Sequence, residues 1–148
     1  MEIKIEIMQP AHLAQVVGIE RLCFSNPWSE QAFHYEITEN HCALYLVALN
    51  GNNVVGYIGN WFICDEGHIT NLAVHPDFQG RGIGKTLVRS LMEMGRQYNV
   101  CHFTLEVRVS NIRAQKLYKD LGFTQVGLRK KYYQDNNEDA IIMWKHID

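Results

Sequence analysis

The chain has 148 residues, a formal charge of -2 at pH 7 and 47% hydrophobic residues, a composition that predicts one ordered domain over residues 1–148. Acids and bases are mixed along the chain, which excludes nucleic acid as the expected main partner. The chain has no uncharged apolar run of about twenty residues, so we expect no membrane association and a cytoplasmic location.

The first half of the chain predicts one strand, two helices and a hairpin. Apolar and charged residues alternate from Ile3 to Ile7, as in a half-buried strand. Pro10 can open a helix that runs through about Phe24, and Ser29 can cap a second helix that runs through about Thr38. Two apolar segments, Ala43 to Leu49 and Val54 to Ile63, then flank an Asn-Gly-Asn-Asn turn, which predicts a hairpin.

A glycine-rich turn between a strand and a helix is the most informative segment of the chain. The strand is predicted from Ile69 to Val74, and the run Gln79-Gly80-Arg81-Gly82-Ile83-Gly84 leads from it into an amphipathic helix. The glycines let the backbone approach a ligand closely, and the amides of the first helical turn lack partners within the helix. Together with the helix macrodipole, these amides predict a site for a pyrophosphate.

Two other glycine motifs fit this run poorly. A nucleotide-binding P-loop needs a glycine five residues before Gly84, where Gln79 stands. A dinucleotide-binding fingerprint needs a glycine three residues after Gly82, where Lys85 stands. A glycine-rich turn that binds nothing stays open as an alternative.

The second half predicts a strand, a helix and two strands. Apolar residues alternate from Phe103 to Val109, and Asn111 can cap a helix that Gly122 ends. The last two strands are expected at about Phe123 to Tyr133 and Ala140 to His146. The complete order is strand, two helices, three strands, helix, strand, helix and two strands, which indicates an α/β or α+β fold with a mixed sheet.

The four cysteines do not form a metal-binding motif in the sequence. Cys23, Cys42, Cys64 and Cys101 are far apart and the histidines are scattered, so we predict free thiols and no metal. Because neighbours in a strand point to opposite faces, Cys101 and His102 are not expected to form a nucleophilic dyad.

The spacing Gln-x-x-Gly-x-Gly resembles the coenzyme A pyrophosphate loop of the GCN5-related N-acetyltransferases. The predicted element order is also that of this family, and the resemblance covers nearly the whole chain. It implies acetyl-CoA as co-substrate and a mixed central sheet of about seven strands with four helices. In that fold the fourth and fifth strands, here Ile69 to Val74 and His102 to Val109, splay apart to admit the pantetheine arm.

Further segments resemble the ribosomal-protein-alanine N-acetyltransferases within that family. They are Asn-Pro-Trp-Ser at 26–29, Leu-Glu-Val-Arg-Val-Ser-Asn at 105–111 and Glu-Asp-Ala-Ile-Ile-Met at 138–143. This likeness implies an enzyme, a monomer or weak dimer, that acetylates the N-terminal alanine of small-subunit ribosomal protein eighteen. An acetyltransferase for another amine, such as a lysine, a polyamine or an antibiotic, and a non-catalytic acyl-CoA sensor are the alternatives.

The resemblance assigns the general base to Glu106. An α-amino group with a pKa of about 7.7 to 8.0 is roughly one-tenth neutral at pH 7, so a mild base acting through water suffices. Glu106 shares the polar face of its strand with Thr104 and Arg108. A solvent-facing glutamate or an ion pair with Arg108 is the structural alternative, and Glu66 is the next candidate for the base.

The resemblance assigns the general acid to Tyr118. The leaving thiolate, whose acid has a pKa of about 8.5, departs more easily beside a protonated donor. Transfer from a phenol with a pKa near 10 is uphill, so hydrogen bonding alone can serve. Because Tyr118 shares a helical face with Ala114, Leu117 and Leu121, a plain core tyrosine is the alternative.

The remaining site residues also come from the resemblance. Backbone groups of Leu72, Ala73 and Val74 are expected to hold the pantetheine and the acetyl carbonyl, and Asn111 is either a coenzyme contact or a helix cap. The residues expected to bind the coenzyme are Leu72, Ala73, Val74, Gln79, Gly80, Arg81, Gly82, Ile83, Gly84, Lys85 and Asn111. The residues expected to line the peptide groove are Pro27, Trp28, Tyr132 and Tyr133.

Overall fold

The structure, a computed structural model, describes residues 2–147 and contains the predicted elements in the predicted order. The strands are β1 (Ile3–Ile7), β2 (Ala43–Asn50), β3 (Asn53–Ile63), β4 (Glu66–Val74), β5 (His102–Arg108), β6 (Thr124–Tyr133) and β7 (Glu138–His146). The α-helices are α1 (Leu13–Cys23), α2 (Glu30–Thr38), α3 (Ile83–Gln97) and α4 (Ile112–Asp120), and 3-10 turns span Pro10–His12 and Pro76–Phe78. Among these helices, none is both long and apolar enough to cross a membrane.

Local sequence signals located most element ends. The Ser29 side chain accepts from the backbone N–H of Ala32, which confirms the cap of α2. Strand β4 begins at Glu66, three residues before the predicted start, because its first residues pair with β5. Gly67 has a low intrinsic strand preference, but a Cβ there would lie 2.4 Å from Cε1 of Phe103. Packing against β5 therefore explains both the glycine and the longer strand.

All seven strands form one mixed sheet in the order β1-β2-β3-β4-β5-β7-β6. Only β4 and β5 run parallel, and their pairing extends from Glu66 and His102 to Ile69 and Leu105. Strand β4 continues to Val74 and β5 continues to Arg108 without pairing to each other. The predicted splay between the fourth and fifth strands is therefore confirmed.

Alternating residues of the sheet contribute to two hydrophobic cores, one on each face of the sheet. On one face, Leu87 and Leu91 of α3 pack with Phe103 of β5. On the other face, Val16 of α1 and Phe33 of α2 pack within the second cluster. All four cysteines are free, as the sequence predicts. The central strands of the sheet are therefore covered by helices on both faces.

Candidate active site

Strands β4 and β5 separate where the ladder of hydrogen bonds between them stops, and we call this opening the fork. Ile69 and Leu105 form the last pair of the ladder, and a bulge in β4 follows because Asn60 pairs with Ile69 while Gly59 pairs with Asn71. The extra residue, Thr70, donates its hydroxyl to Oδ1 of Asn71 at 3.0 Å. Such a bulge bends a strand and ends regular pairing, so it turns β4 away from β5.

The glycine-rich turn lies directly before α3. Gly80 and Gly82 both have φ of +81°, a left-handed conformation that favours glycine. Thr86 makes the first backbone hydrogen bond of the helix, to the carbonyl of Gly82 at 3.0 Å. The preceding amides of the first turn have no acceptor within the helix and are available to an anion.

Gly84 serves packing rather than backbone freedom. A Cβ at this position would lie 2.8 Å from Cδ1 of Leu117 in α4, closer than real Cβ contacts occur. By contrast, a Cβ at Gly82 would meet nothing within 4 Å. Glycine is therefore favoured at Gly80 and Gly82 by backbone conformation and at Gly84 by close packing.

A groove of about 660 Å³ connects the glycine-rich turn to the fork. Every residue predicted to bind the coenzyme lines this groove except Arg81, whose guanidinium carbon lies 5.2 Å from the centre of the Phe78 ring. The groove also receives Leu22, Cys23 and Phe24 from the end of α1, which the sequence patterns did not single out. The structure thus assembles the predicted coenzyme set, and its role stays a prediction.

Charged side chains of α4 line the groove beside the glycine-rich turn. Nη1 of Arg113 donates to Oε1 of Gln79 at 2.5 Å, and Nε2 of Gln79 donates to the carbonyl of Val74 at 3.0 Å. Gln79 therefore joins the end of β4 to α4. Sequence reasoning missed Arg113, whose only signal was a cation in the first turn of a helix beside the predicted fork.

Lys85 and Lys116 bring two further cations to the groove. Both ammonium groups bind Oδ2 of Asp120, at 3.2 and 3.3 Å. These partners hold the pKa of the Asp120 carboxyl below its ordinary value, with the hydrogen bond from Lys85 as the largest cause. The carboxylate keeps both cations at the rim of the groove, where an incoming phosphate can compete for them.

Asn111 caps α4 and also lies beside the groove. Its Oδ1 accepts from the backbone N–H of Ala114 at 3.1 Å, which confirms the cap of α4. The same residue lines the groove. The cap is therefore a structural fact, and the coenzyme contact stays a prediction.

Glu106 lies at the fork, immediately after the last β5 residue that pairs with β4. Its side chain is 12% exposed and shares the polar face with Thr104 and Arg108, as predicted. Oε2 is 2.7 Å from Nε2 of His68 in β4, and Oε1 is 3.4 Å from Nε of Arg129 in β6. The ion pair that competes with a catalytic role is thus made with Arg129 instead of Arg108.

His68 is a functional candidate that sequence reasoning missed. The imidazole is one-third exposed and its ring lies edge-on to Trp61 at 6.3 Å. Its hydrogen bond holds the pKa of the Glu106 carboxyl below its ordinary value and outweighs the opposing effect of burial. Glu106 is therefore ionised at neutral pH and linked to a ring that can carry a proton.

Glu66 occupies the other end of the parallel ladder. It pairs with His102, whereas the fork opens only after Leu105. Glu66 therefore lies several residues from the point where the two strands separate, and Glu106 lies next to it. The geometry favours Glu106 over Glu66 as a group that can meet a substrate in the fork.

The ring of Tyr118 is buried in the core beneath α4. The residue is 5% exposed, and its ring lies 5.5 Å from the ring of Phe123. Burial raises the pKa of the phenol far above its ordinary value, with the neighbouring Tyr133 as a second cause. The phenol therefore stays protonated, which favours hydrogen bonding over proton release. Its role as general acid stays a prediction.

A buried carboxylate anchors the loop that carries Pro27 and Trp28. Glu20 in α1 is 3% exposed and accepts from the Tyr57 hydroxyl. Its second oxygen accepts from the backbone N–H of Trp28 at 2.9 Å. The Trp28 ring packs on Phe33 at 5.3 Å, while Pro27 is exposed. The Glu20 carboxylate and the Phe33 ring therefore hold this loop against the core.

The second predicted peptide-binding segment is held by Arg108. Its guanidinium carbon lies 3.9 Å from the centre of the Tyr133 ring, and its Nη2 donates to Oδ2 of Asp135 at 2.9 Å. Ser25 donates to the same Asp135 carboxylate at 3.4 Å, so the loop before α2 contacts the turn between β6 and β7. Tyr132 remains 46% exposed beside Tyr133. The two predicted walls of the peptide groove are thus joined by polar contacts.

Residues 13–123 match the model of the acetyltransferase (GNAT) family. The chain belongs to this family. That finding agrees with the forked β4 and β5 and with the glycine-rich turn before α3. It also confirms the family that the Gln-x-x-Gly-x-Gly spacing predicted.

Individual relatives match almost the whole chain. A Bacillus subtilis protein, provisionally named a ribosomal protein bS18-alanine N-acetyltransferase, is 42% identical over 141 residues, covering 95% of this chain and 93% of its own. The Escherichia coli ribosomal protein bS18-alanine N-acetyltransferase is 34% identical over 141 residues and 94% of each chain. The crystal structure of the ribosomal-protein-S18-alanine N-acetyltransferase from Escherichia coli superposes with a TM-score of 0.90 at 31% identity, covering 99% of this chain and 95% of that one.

Proposed function

We propose that this protein transfers the acetyl group of acetyl-CoA to the N-terminal alanine amine of ribosomal protein bS18. The observation that carries the proposal is the groove that joins the glycine-rich turn to the fork, because all but one of the residues predicted to bind the coenzyme line it. Full-length relatives named for this reaction support the choice of substrate. A cytoplasmic location, a single domain and a monomer or weak dimer are part of the same proposal.

The coenzyme would enter the groove with its pyrophosphate at the first turn of α3. The free amides there and the cations Lys85 and Arg113 suit two phosphate charges. The pantetheine arm would then run along Leu72 to Val74, which have no strand partner in β5. The backbone groups on the β5 side of this segment are unpaired, so they can form hydrogen bonds with the arm as they would with an added strand.

The peptide would approach the fork from the side of Trp28 and Tyr132. Glu106, with His68, would take the proton that the ammonium group must lose, either directly or through one water. Because the pKa of Glu106 is lowered, the carboxylate alone is a weak base toward an amine. The imidazole bonded to it offers a second site for the proton, so we propose that the two side chains act together.

The transfer would proceed by direct attack. The neutral amine forms a C–N bond with the thioester carbonyl, and collapse of the tetrahedral intermediate breaks the C–S bond. The amine proton leaves through Glu106 and His68, and the departing thiolate receives a hydrogen bond or a proton from Tyr118. Burial keeps that phenol protonated, so a hydrogen bond is the contribution we expect.

An acetyl-enzyme intermediate is not required. Cys23 is the cysteine that lines the groove, but its thiol donates to the carbonyl of Val74 at 3.4 Å. Burial, with Glu20 nearby, raises the pKa of this thiol. A protonated thiol engaged in a hydrogen bond is a poor nucleophile, so the environment of Cys23 favours direct attack.

A peptide panel tests the proposed function. Peptides that begin with Ala-Arg are incubated with acetyl-CoA beside peptides that begin with Met or Ser and a copy of the alanine peptide with a blocked N-terminus. We expect acetylation of the alanine peptide at its N-terminus, located by mass spectrometry, and none of the blocked copy. Activity that survives the block would reject N-terminal acetylation, and coenzyme binding without turnover of any peptide would indicate a sensor.

A further inference from the structure

A second cluster of reactive side chains lies away from the groove, at the closed end of the β4–β5 ladder. Ligand atoms of Cys101, His102 and His146 lie within 4.8 Å of one another. Asp65, in the turn between β3 and β4, places Oδ2 3.8 Å from Sγ of Cys101 and 3.9 Å from Nε2 of His102. None of these four residues lines the groove proposed for the coenzyme.

Sheet register brings the two histidines together. His102 and His146 are direct partners in the antiparallel pairing of β5 and β7, so their side chains share one face. Cys101 precedes the first residue of β5, where strict alternation of side chains does not yet apply. The prediction that Cys101 and His102 point to opposite faces is therefore wrong.

Backbone hydrogen bonds hold the segments of the cluster in place. The N–H of Cys101 donates to the carbonyl of Asp65 at 3.1 Å, and the carbonyl of Cys101 accepts from Ile147 at 2.7 Å. The β5–β7 ladder holds the two histidines. Little backbone rearrangement is therefore needed for these side chains to converge on one ligand, which lowers the entropic cost of binding.

The geometry of the histidine pair is close to that of two ligands on one ion. The Nδ1 atoms of His102 and His146 are 3.0 Å apart. Two nitrogen ligands of a tetrahedral zinc ion, each at about 2.0–2.1 Å from the metal, are separated by roughly 3.3 Å. In the absence of an ion, atoms this close must share one proton, and an ion can take the place of that proton.

The donor types select the class of metal. A thiolate with two imidazoles suits zinc and related borderline ions, whereas calcium and magnesium prefer oxygen ligands. Asp65 faces the other ring nitrogen of His102, as a carboxylate that orients a ligating histidine does. Three protein ligands leave a fourth position for water.

We propose that Cys101, His102 and His146 form a zinc-binding site, with Asp65 orienting His102. The site departs from the sequence-based prediction of no metal, because that prediction considered only spacing along the chain. Zinc would displace the thiol proton and connect the end of β7 to the beginning of β5.

The test uses the full chain without an affinity tag, stripped of metal with a chelator. Titration with Zn²⁺ against a chromophoric chelator should reveal one equivalent bound with a Kd on the order of micromolar or tighter. Co²⁺ in place of Zn²⁺ should produce a thiolate-to-metal absorption band. Free Zn²⁺ at about 100 times the Kd should raise the Tm by about 5–10 °C.

Matched variants locate the ion. Cys101→Ser should abolish the thiolate band and weaken Zn²⁺ binding by at least about 10-fold, and His146→Gln, at an exposed position, should weaken it similarly. Cys42→Ser removes an exposed cysteine that also neighbours a histidine in sequence and should bind Zn²⁺ like the wild type. Circular dichroism verifies that each variant is folded. Absence of binding to the wild type, or binding that persists in both Cys101→Ser and His146→Gln, would overturn the proposal.

Discussion

Oε2 of Glu106 and Nε2 of His68 lie 2.7 Å apart across the last paired part of β4 and β5. The contact joins a carboxylate of one strand to an imidazole of its parallel neighbour at the point where the strands separate. It gives the proposed base a proton carrier and keeps the carboxylate ionised. The mechanism can therefore be tested at this pair of side chains.

Glu106→Gln should reduce turnover by about 10²- to 10⁴-fold, because the amide cannot accept the proton of the amine. Steady-state kinetics measures the loss, and calorimetry should find coenzyme affinity nearly unchanged. Glu66→Gln is the matched control on the same strand pair and should retain turnover. If Glu66→Gln is the inactive variant, the base has been assigned to the wrong glutamate.

The pH dependence of stability should reveal the same pair. The lowered pKa of Glu106 adds to the free energy of unfolding above the unfolded pKa of about 4.3. That contribution disappears as the pH falls through the lowered pKa of the folded state. Urea unfolding should therefore find a larger advantage of the wild type over Glu106→Gln at about pH 6 than at about pH 3. The advantage should shrink in a His68→Ala background, and an unchanged advantage there would mean that His68 does not stabilise the ionised form.

Tyr118→Phe should lower turnover by about 10-fold while the protein stays folded, because one hydrogen bond to the thiolate is lost and the ring still packs. Thermal unfolding should find little change for Tyr118→Phe. Tyr118→Ala, which empties a core position, should cost about 3–5 kcal/mol. Wild-type turnover in Tyr118→Phe would make this tyrosine a core residue alone.

Gly82→Ala should destabilise the protein by about 1–2 kcal/mol, because φ of +81° is unfavourable for alanine even though the space is open. It should also weaken binding of acetyl-CoA by disturbing the amides before α3. Gly18→Ala, in the interior of α1 with open space around it, is the control and should stabilise by about 0.5–1 kcal/mol. Calorimetry with each variant checks both effects, and full coenzyme affinity in Gly82→Ala would contradict the proposed phosphate site.

Glu20→Gln should raise the KM for the peptide without changing coenzyme affinity. A glutamine cannot accept from both the Tyr57 hydroxyl and the Trp28 N–H through two oxygens, so one buried donor loses its partner at about 1–3 kcal/mol. Tyr57→Phe leaves the Trp28 contact intact and should lower stability without the same rise in KM. Equal effects of both variants on KM would mean that Glu20 supports the core rather than the loop.

Local patterns in the sequence were sufficient to predict the element order, the caps at Ser29 and Asn111 and the glycine-rich turn. Each of these features depends on residues a few positions apart, whose backbone preferences and hydrogen bonds act within one turn. The same local information placed Glu106 on the polar face of its strand. The family could be predicted because its diagnostic spacing lies within one such turn.

Tertiary structure alone decided which distant residues meet. The parallel register of β4 and β5 brings His68 to Glu106, and the β5–β7 register brings His102 to His146. Packing also buries the Tyr118 ring in the core, and the pairing of β4 with β5 ends after Ile69. Register between separated strands follows from the burial of both sheet faces at once, a property of the assembled layers that no short window of sequence contains.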